Sequence, residues 1–378
     1  MSLELEKHLV ARANETRTPI TANFELTPVC NMKCDMCFIR LPQAQVQALG
    51  GLRPLESWLD IARQLRQMGT LFILLTGGEP MLYPQFNELY MELRRMGFII
   101  TINTNGTLIT EVTCRMFARL QPRRVNVTLY GASRETYADM CHHADGFDRC
   151  MSALRLLKQY HIDTKINVSV TRRSVADYEA IMAIADELGM PAVVNAYMFP
   201  ALRQLCAGCR DVDAERITPE QAARYQEAFM RYRQGADYPQ YLRSIVYNVD
   251  EVEPDPEGQG VSCRAARSSV WINWRQQMTP CVLMEHPMVP LDGTTVADAW
   301  ASVTAQADQL PRFEKCAGCR LRKLCQVCYA AAEHEQKARG NLDYLCEMAH
   351  RQLDLIRSTL LPTEISSDAE SKYRVNTE

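Results

Sequence analysis

The chain has 378 residues, of which 47% are hydrophobic, and its 42 basic and 45 acidic residues give a formal net charge of −3. This length supports a large core plus a smaller second unit. The charge balance provides no basis for binding nucleic acid or an anionic membrane surface. There is no secretory signal pattern and no long apolar run, so the sequence predicts a cytoplasmic protein. In a reducing cytosol, fifteen clustered cysteines indicate metal-binding or catalytic thiols more strongly than they indicate disulfides.

The first 200 residues alternate between strand-like and helix-like segments. Short apolar or β-branched runs begin near Phe24, Leu71, Phe98, Arg124, Thr164 and Pro191. The first interval has apolar residues at helical spacing, with Gly69 where a helix would end. Six such units predict an α/β fold, a partial (β/α)6 barrel of parallel strands that stays open, with functional loops at the carboxyl ends of its strands.

The alternation stops near residue 200, which suggests a division of the chain. We expect an N-terminal extension at 1–21, the partial barrel at 22–200, a helical bridge and linker at 201–260, and a smaller cysteine-rich domain at 261–350. Residues 351–378 are expected to hold the end of a helix and a disordered tail. Within the smaller domain, SVWINW followed by MTPCVL predicts a hairpin.

Three cysteines with the spacing C-x3-C-x2-C, Cys30, Cys34 and Cys37, follow the first predicted strand. Three thiolates cannot complete a tetrahedral zinc site alone, but they can hold three irons of a [4Fe-4S] cluster and leave the fourth iron for a non-protein ligand. Spacing alone leaves two alternatives open: a zinc site completed by a distant residue, and three unrelated thiols.

The segment TGGEP at 76–80 follows the second predicted strand. Together with the cysteine triplet it resembles the radical S-adenosylmethionine (radical SAM) enzymes. The resemblance implies that Cys30, Cys34 and Cys37 carry the catalytic cluster, that S-adenosylmethionine binds its open iron, and that reductive cleavage yields a 5′-deoxyadenosyl radical. It also implies an electron donor such as flavodoxin or ferredoxin.

The same resemblance implies a set of contacts to S-adenosylmethionine. Met36 would lie beside the adenine, the motif Gly77 to Pro80 would let backbone approach the methionine end, and Glu79 would meet the ammonium group or join a local hydrogen-bond network. The motif residues of the set are Gly77, Gly78, Glu79 and Pro80, and polar residues on later strands complete it: Asn105, Thr128 and Asn167. Alternatively, Asn105 belongs to an ordinary strand-ending turn, and Thr128 and Asn167 only line the barrel.

Seven cysteines form an ordered array between residues 263 and 346. The array resembles the SPASM extension of radical SAM enzymes, which carries two auxiliary [4Fe-4S] clusters. By that resemblance one cluster is held by Cys316, Cys319, Cys325 and Cys346, and the other by Cys263, Cys281 and Cys328. Structural zinc ions are the alternative. Cys206 and Cys209 are interpreted first as two reduced thiols without a role, with completion of a cluster or a redox pair as alternatives. Cys114, Cys141 and Cys150 are interpreted as core or incidental thiols.

A SPASM-like extension implies a polypeptide substrate. We therefore expect oxidative modification of a ribosomally made peptide, by a thioether or carbon–carbon cross-link, with a separate leader-recognition protein as a further possible partner. Two alternatives remain. One is formylglycine formation in a sulfatase or oxidation of a small molecule; Val282, where sulfatase-maturing relatives have an aspartate, weakens the sulfatase option. The other is a metal-stabilised electron-transfer or binding scaffold. Tyr130, Asp139, Glu285 and His286 are unranked acid–base candidates.

Overall fold

The computed structural model describes residues 3–200, 212–253, 260–325 and 328–360. Its centre is one nine-stranded sheet with the order β6-β5-β4-β3-β2-β1-β7-β8-β9. The first six strands pair in parallel, and the sheet does not close on itself. The predicted α/β class with an open, partial barrel is confirmed. No helix in these described ranges has the length and apolarity needed to cross a membrane.

The strands have these bounds: β1 Thr21–Glu25, β2 Phe72–Thr76, β3 Ile99–Thr104, β4 Arg124–Leu129, β5 Thr164–Ser169, β6 Ala192–Asn195, β7 Ser269–Ile272, β8 Gln277–Thr279 and β9 Val289–Pro290. The helices have these bounds: α1 Leu3–Thr16, α2 Gln43–Ala48, α3 Leu55–Gln67, α4 Phe86–Arg95, α5 Glu111–Arg119, α6 Arg134–Cys141, α7 Gly146–Gln159, α8 Tyr178–Leu188, α9 Val212–Glu215, α10 Pro219–Gln234, α11 Tyr238–Asp250, α12 Val296–Asp308, α13 Glu314–Ala317, α14 Tyr329–Arg339 and α15 Asp343–Thr359.

The two faces of the parallel sheet differ in polarity. Along β4, Val125, Val127 and Leu129 are fully buried in the main hydrophobic core, while the alternate residues Asn126 and Thr128 point the other way. β5 alternates between buried and half-buried positions in the same manner. One face of the sheet therefore packs on the helices, and the other presents polar side chains to the inside of the partial barrel.

The cysteine-rich region contributes three strands to this sheet. β7 pairs in parallel with β1, so residues predicted to lie in separate domains share one hydrogen-bonded sheet. The predicted hairpin is present as antiparallel β7 and β8, and β9 extends it. β7 joins the exposed edge of β1 because that edge would otherwise leave backbone groups unpaired.

The six predicted strands and the helix that ends before Gly69 all occur in the structure. The proposed boundary at residue 350 lies inside α15. That helix therefore begins in the expected segment 261–350 and ends in the expected segment 351–378. The remaining domain boundaries stay predictions. The tail after residue 360 and, within the expected bridge and linker, residues 201–211 and 254–259 lie outside the described residues.

Candidate radical site and cysteine-rich region

Residues 27–41, here called the cluster loop, connect β1 to α2 and carry the first three cysteines. The loop is bonded through main-chain groups to the segment that follows β2: Gly78 N donates to Thr27 O at 2.7 Å, and Glu79 N donates to Val29 O at 2.9 Å. Parallel neighbouring strands end at the same edge of the sheet, so the segments that leave them run side by side. The TGGEP segment thus fixes the path of the chain into Cys30.

The two glycines of TGGEP are required by this close packing. A Cβ on Gly77 would lie 2.3 Å from the carbonyl oxygen of Thr27, and a Cβ on Gly78 would lie 2.5 Å from that of Val29. Backbone cannot give way as a flexible side chain can. These glycines therefore allow the cluster loop to approach, a contact that the sequence did not indicate. The predicted approach of their backbone to the methionine end of S-adenosylmethionine stays a prediction.

Glu79 is completely buried at the centre of a local hydrogen-bond network. Its carboxylate accepts from the Thr104 hydroxyl at 2.9 Å, from Asn105 N at 2.8 Å and from Met81 N at 3.1 Å. Burial raises the pKa of Glu79 to about 7, against the lowering effect of these donors. Of the two predicted roles, the structure displays the network, which ties the segment after β2 to the end of β3.

Asn105 connects β3 to the cluster loop. Its amide nitrogen donates to Asn31 Oδ1 at 2.9 Å and lies 3.6 Å from Cys30 Sγ, and its Oδ1 accepts from Thr107 N at 2.9 Å. The bond between Asn105 and Thr107 agrees with the interpretation of Asn105 as part of a turn that ends the strand. The same side chain also reaches the first cysteine, so the turn serves the cluster loop.

The chemistry of the three thiols fits an iron–sulfur cluster. Cys30 Sγ accepts from Met32 N at 3.4 Å, and the backbone amides of Ile39 and Arg40 hydrogen-bond Cys37. Burial raises the pKa of Cys30 to about 12, and the neighbouring cysteines add to the rise. Amide donors aimed at sulfur stabilise a thiolate once a metal replaces the proton. We therefore expect this loop to hold a cluster.

The described residues contain no group of three or more His, Cys, Asp or Glu side chains arranged to hold a metal ion. The thiolates of a [4Fe-4S] cluster bind separate irons, so the cluster loop does not need three sulfurs converging on a single ion. The individual ligand assignments stay predictions.

The other predicted contacts to S-adenosylmethionine surround this loop at varying depth. Met36 is half-buried against the main core, and Pro80 is buried at the start of a short 3-10 turn. Thr128 and Asn167 are direct neighbours in the register of β4 and β5, both on the inside of the barrel. The structure places all of them at or near the carboxyl ends of the parallel strands, and their contacts to S-adenosylmethionine stay predictions.

Within each of the two predicted ligand sets, the C-terminal cysteines lie near one another. A cavity of about 140 Å³ is lined by all four members of the first set: Cys316, Cys319, Cys325 and Cys346. In the second set, Cys281 lies within the electrostatic influence of both Cys263 and Cys328, and burial raises its pKa to about 12. Cysteine thiols grouped in this way are the ligands that iron–sulfur clusters use, and the two ligand sets stay predictions.

Buried polar contacts attach the cysteine-rich region to the barrel. Arg216 and Glu335 form an ion pair in which the side chains are 3% and 1% exposed, and the Tyr197 hydroxyl donates to Glu335 at 2.8 Å. The ring nitrogens of His334 each lie 2.6 Å from a carbonyl oxygen, one of Pro200 and one of Leu283. No sequence signal pointed to these residues, because their partners are far away along the chain.

The remaining cysteines differ from one another. Cys114 and Cys150 are fully buried in the main core, as predicted. Cys141 is also buried in the main core, as predicted, and its carbonyl oxygen accepts from Lys33 N of the cluster loop at 2.9 Å. Cys206 and Cys209 lie outside the described residues.

Comparison with known proteins agrees with this site. The family model described as "Radical SAM superfamily" matches residues 24–183. An AdoMet-dependent heme synthase from Oleidesulfovibrio alaskensis is 23% identical over 81% of this chain and 81% of its own length. The antilisterial bacteriocin subtilosin biosynthesis protein AlbA from Bacillus subtilis is 23% identical over 86% of this chain and 70% of its own length.

Among solved structures, native anSMEcpe with bound AdoMet and the Cp18Cys peptide is similar with a TM-score of 0.64 and 16% sequence identity, over 90% of this chain and 97% of that one. This likeness shows the fold. The match at residues 24–183, which contain the cluster loop and TGGEP, shows that this part of the chain is a radical SAM domain. The cofactors of that superfamily are S-adenosylmethionine and a [4Fe-4S] cluster.

Proposed function

We propose that this protein reductively cleaves S-adenosylmethionine at the cluster of Cys30, Cys34 and Cys37 and abstracts hydrogen from a peptide, which it modifies oxidatively or cross-links by a thioether or carbon–carbon bond. When bound, the cluster and S-adenosylmethionine supply one electron and a 5′-deoxyadenosyl radical. The chain's own residues hold the cluster loop against β2 and β3, as Gly78 and Glu79 do, and exclude water by burial.

The observation that carries the oxidative part of the proposal is a cavity of about 220 Å³ between the barrel and the cysteine-rich region. Its wall includes Asn195 and Tyr197 from the end of β6 and, on the other side, Leu283 and Cys328. A group in this cavity lies between the carboxyl ends of the strands and a predicted auxiliary-cluster ligand. Net oxidation needs such a position, because the substrate radical left after hydrogen abstraction must give up an electron.

The relatives support a peptide substrate. AlbA is named for bacteriocin biosynthesis, and the anSMEcpe structure contains a peptide. We extend this to two auxiliary [4Fe-4S] clusters, one on Cys316, Cys319, Cys325 and Cys346 and one on Cys263, Cys281 and Cys328. A flavodoxin or ferredoxin would supply electrons, and a separate protein would recognise the leader.

A second candidate is radical oxidation of a small molecule. The relative named AdoMet-dependent heme synthase favours it, since the match covers 81% of both chains. The substrate cavity does not decide between the two, because it describes only where a reacting group would sit.

Two anaerobic measurements test the proposal. First, the protein is reconstituted with iron and sulfide, reduced with dithionite and given S-adenosylmethionine, and 5′-deoxyadenosine is measured by mass spectrometry. The variant in which Cys30, Cys34 and Cys37 are alanine should form none, while the matched variant Cys114→Ala should form as much as the parent. A full iron load without 5′-deoxyadenosine would contradict radical chemistry.

Second, peptides encoded beside the gene are offered as substrates. A peptide that loses two hydrogens, at a rate matched by 5′-deoxyadenosine formation, supports the peptide reaction. If a porphyrin precursor lost hydrogen while every peptide stayed unchanged, the result would contradict the peptide reaction and support the small-molecule reaction.

A further inference from the structure

The cavity between the barrel and the cysteine-rich region has an uncharged lining. Its apolar wall consists of Phe199, Leu283, Ala331, Leu345 and Met348. None of the described residues that line it is a lysine, arginine, histidine, aspartate or glutamate. An ionised group that enters such surroundings loses its hydration and meets no side chain of opposite charge. The lining therefore favours an uncharged ligand group.

Two glutamine side chains line this cavity from helices that pack against each other. Gln226 lies on α10 and Gln352 lies on α15. Leu345, Met348 and Gln352 are spaced by three and four residues, so they share one face of α15. Gln352 is 3% exposed, and Gln226 is half-buried. The apolar wall of the cavity thus contains two amide groups.

Neither amide has a hydrogen-bond partner among the described residues. Other polar groups of the lining are already bonded, since the Tyr197 hydroxyl donates to Glu335 at 2.8 Å and Asn195 Oδ1 accepts from Tyr197 N at 3.2 Å. A buried amide that lacks a partner destabilises the folded state, and such groups are rare in native proteins. Gln226 and Gln352 are therefore placed to bond a molecule that enters the cavity.

The two glutamines match a ligand that both donates and accepts. Each glutamine amide has N–H donors and a carbonyl acceptor, and a carboxamide carries the same two kinds of group. A carboxylate only accepts and is charged, so it would leave the glutamine oxygens without donors. The position of the cavity does not choose a substrate, but the chemistry of its lining selects a carboxamide.

We propose that Gln226 and Gln352 form a subsite that binds an uncharged carboxamide of the substrate, either a main-chain amide of a peptide or the side chain of an asparagine or glutamine in it. This inference rests on the proposed peptide substrate and names the group that the protein holds in the cavity. It does not depend on which cysteines ligate the auxiliary clusters.

The test uses the reconstituted full-length protein, without S-adenosylmethionine, and small fluorinated probes of similar size. Trifluoroacetamide represents an asparagine or glutamine side chain, N-methyltrifluoroacetamide represents a main-chain amide, and trifluoroacetate is the charged control. Fluorine NMR line widths over a concentration series give the dissociation constant of each probe. The parent should bind the preferred amide about tenfold more tightly than trifluoroacetate, and the preferred amide identifies which source of carboxamide the subsite fits.

Gln352→Met and Gln226→Met keep the approximate size of the side chain and remove its amide. Each should weaken binding of the preferred amide about tenfold, the effect of losing one or two neutral hydrogen bonds. Gln306→Met is the matched control, because Gln306 is exposed on α12 and its amide donates to Ser302 Oγ at 3.0 Å. It should bind the probes as the parent does.

Equal binding of trifluoroacetate and the amides would overturn the inference, as would amide binding that is absent in the parent or unchanged in both cavity variants. Gln352→Met should melt at the temperature of the parent or above it, because it removes a buried amide that lacks a protein partner. A lower melting temperature would also overturn the inference, since the amide would then support the fold. Amide binding by a protein that forms no 5′-deoxyadenosine would support the subsite and contradict the proposed function.

Discussion

The cluster loop and the cysteine-rich region are held in place by different kinds of contact. The cluster loop is bonded through its main chain to segments that leave neighbouring strands and to the end of α6. The cysteine-rich region joins the sheet through β7, and apolar residues of α12 and α15 pack into the main hydrophobic core. It is also attached by a few buried polar side chains, chiefly Arg216, Glu335 and His334. The first site is therefore held by main-chain bonds, whereas the second adds buried polar contacts that single substitutions can remove.

The largest effect is expected at the buried ion pair. Arg216→Met leaves Glu335 buried without its main partner, and loss of one member of a buried pair costs about 3–5 kcal/mol. Urea unfolding followed by tryptophan fluorescence measures the loss. The control is Arg224→Met, whose exposed pair with Glu220 should contribute less than about 1 kcal/mol. Equal losses in the two variants would show that the cysteine-rich region does not depend on this pair.

The main-chain packing of the cluster loop is tested by Gly78→Ala. The added Cβ would lie 2.5 Å from the carbonyl oxygen of Val29, so the loop must move, at a cost of about 3 kcal/mol, the upper end for overpacking. Iron at the first cluster and formation of 5′-deoxyadenosine should both fall. Gly318→Ala is the matched control, since a Cβ there meets nothing within 4 Å. A normal first cluster in Gly78→Ala would mean that the loop adapts to the contact.

The pH dependence of stability should report on Glu79. Its pKa rises from 4.5 to about 7 on folding, so between these values the folded state holds a proton that the unfolded state has lost. Stability therefore decreases as the pH rises through this window. Relative to Glu79→Gln, the free energy of unfolding of the parent should fall by about 2 kcal/mol between pH 5.5 and pH 7. Urea titrations at each pH measure it, and parallel curves for the two proteins would contradict the expectation.

The sequence predicted the elements whose signal is local. The six parallel strands and α3 follow from apolar periodicity, and the cysteine spacing pointed to the cluster loop. The pairing of β7 with β1 was missed because a parallel neighbour is chosen by an open sheet edge almost 250 residues away. A strand of four residues carries no mark of its partner.

Roles that depend on three-dimensional neighbours were also beyond the sequence. Gly77 and Gly78 indicated a close approach of backbone to the methionine end of S-adenosylmethionine, and only the structure shows that the backbone of Thr27 and Val29 also lies against them. Cys141 looked like any apolar thiol at a helix end, because nothing near it in the sequence indicates that its carbonyl oxygen meets Lys33 of the cluster loop. In each case the local residue type was informative about chemistry but not about which distant segment it meets.

The smallest expected effect distinguishes core thiols from cluster thiols. Cys114→Ala removes one small buried group from the main core, which should cost about 1 kcal/mol, the scale of one methylene. The iron content should stay the same as in the parent, because the Cys114 side chain lies on α5 within the apolar core. Cys30→Ala should show the opposite pattern, with loss of iron from the first cluster. If Cys114→Ala loses iron, the division between thiols that pack and thiols that ligate would be wrong for the barrel.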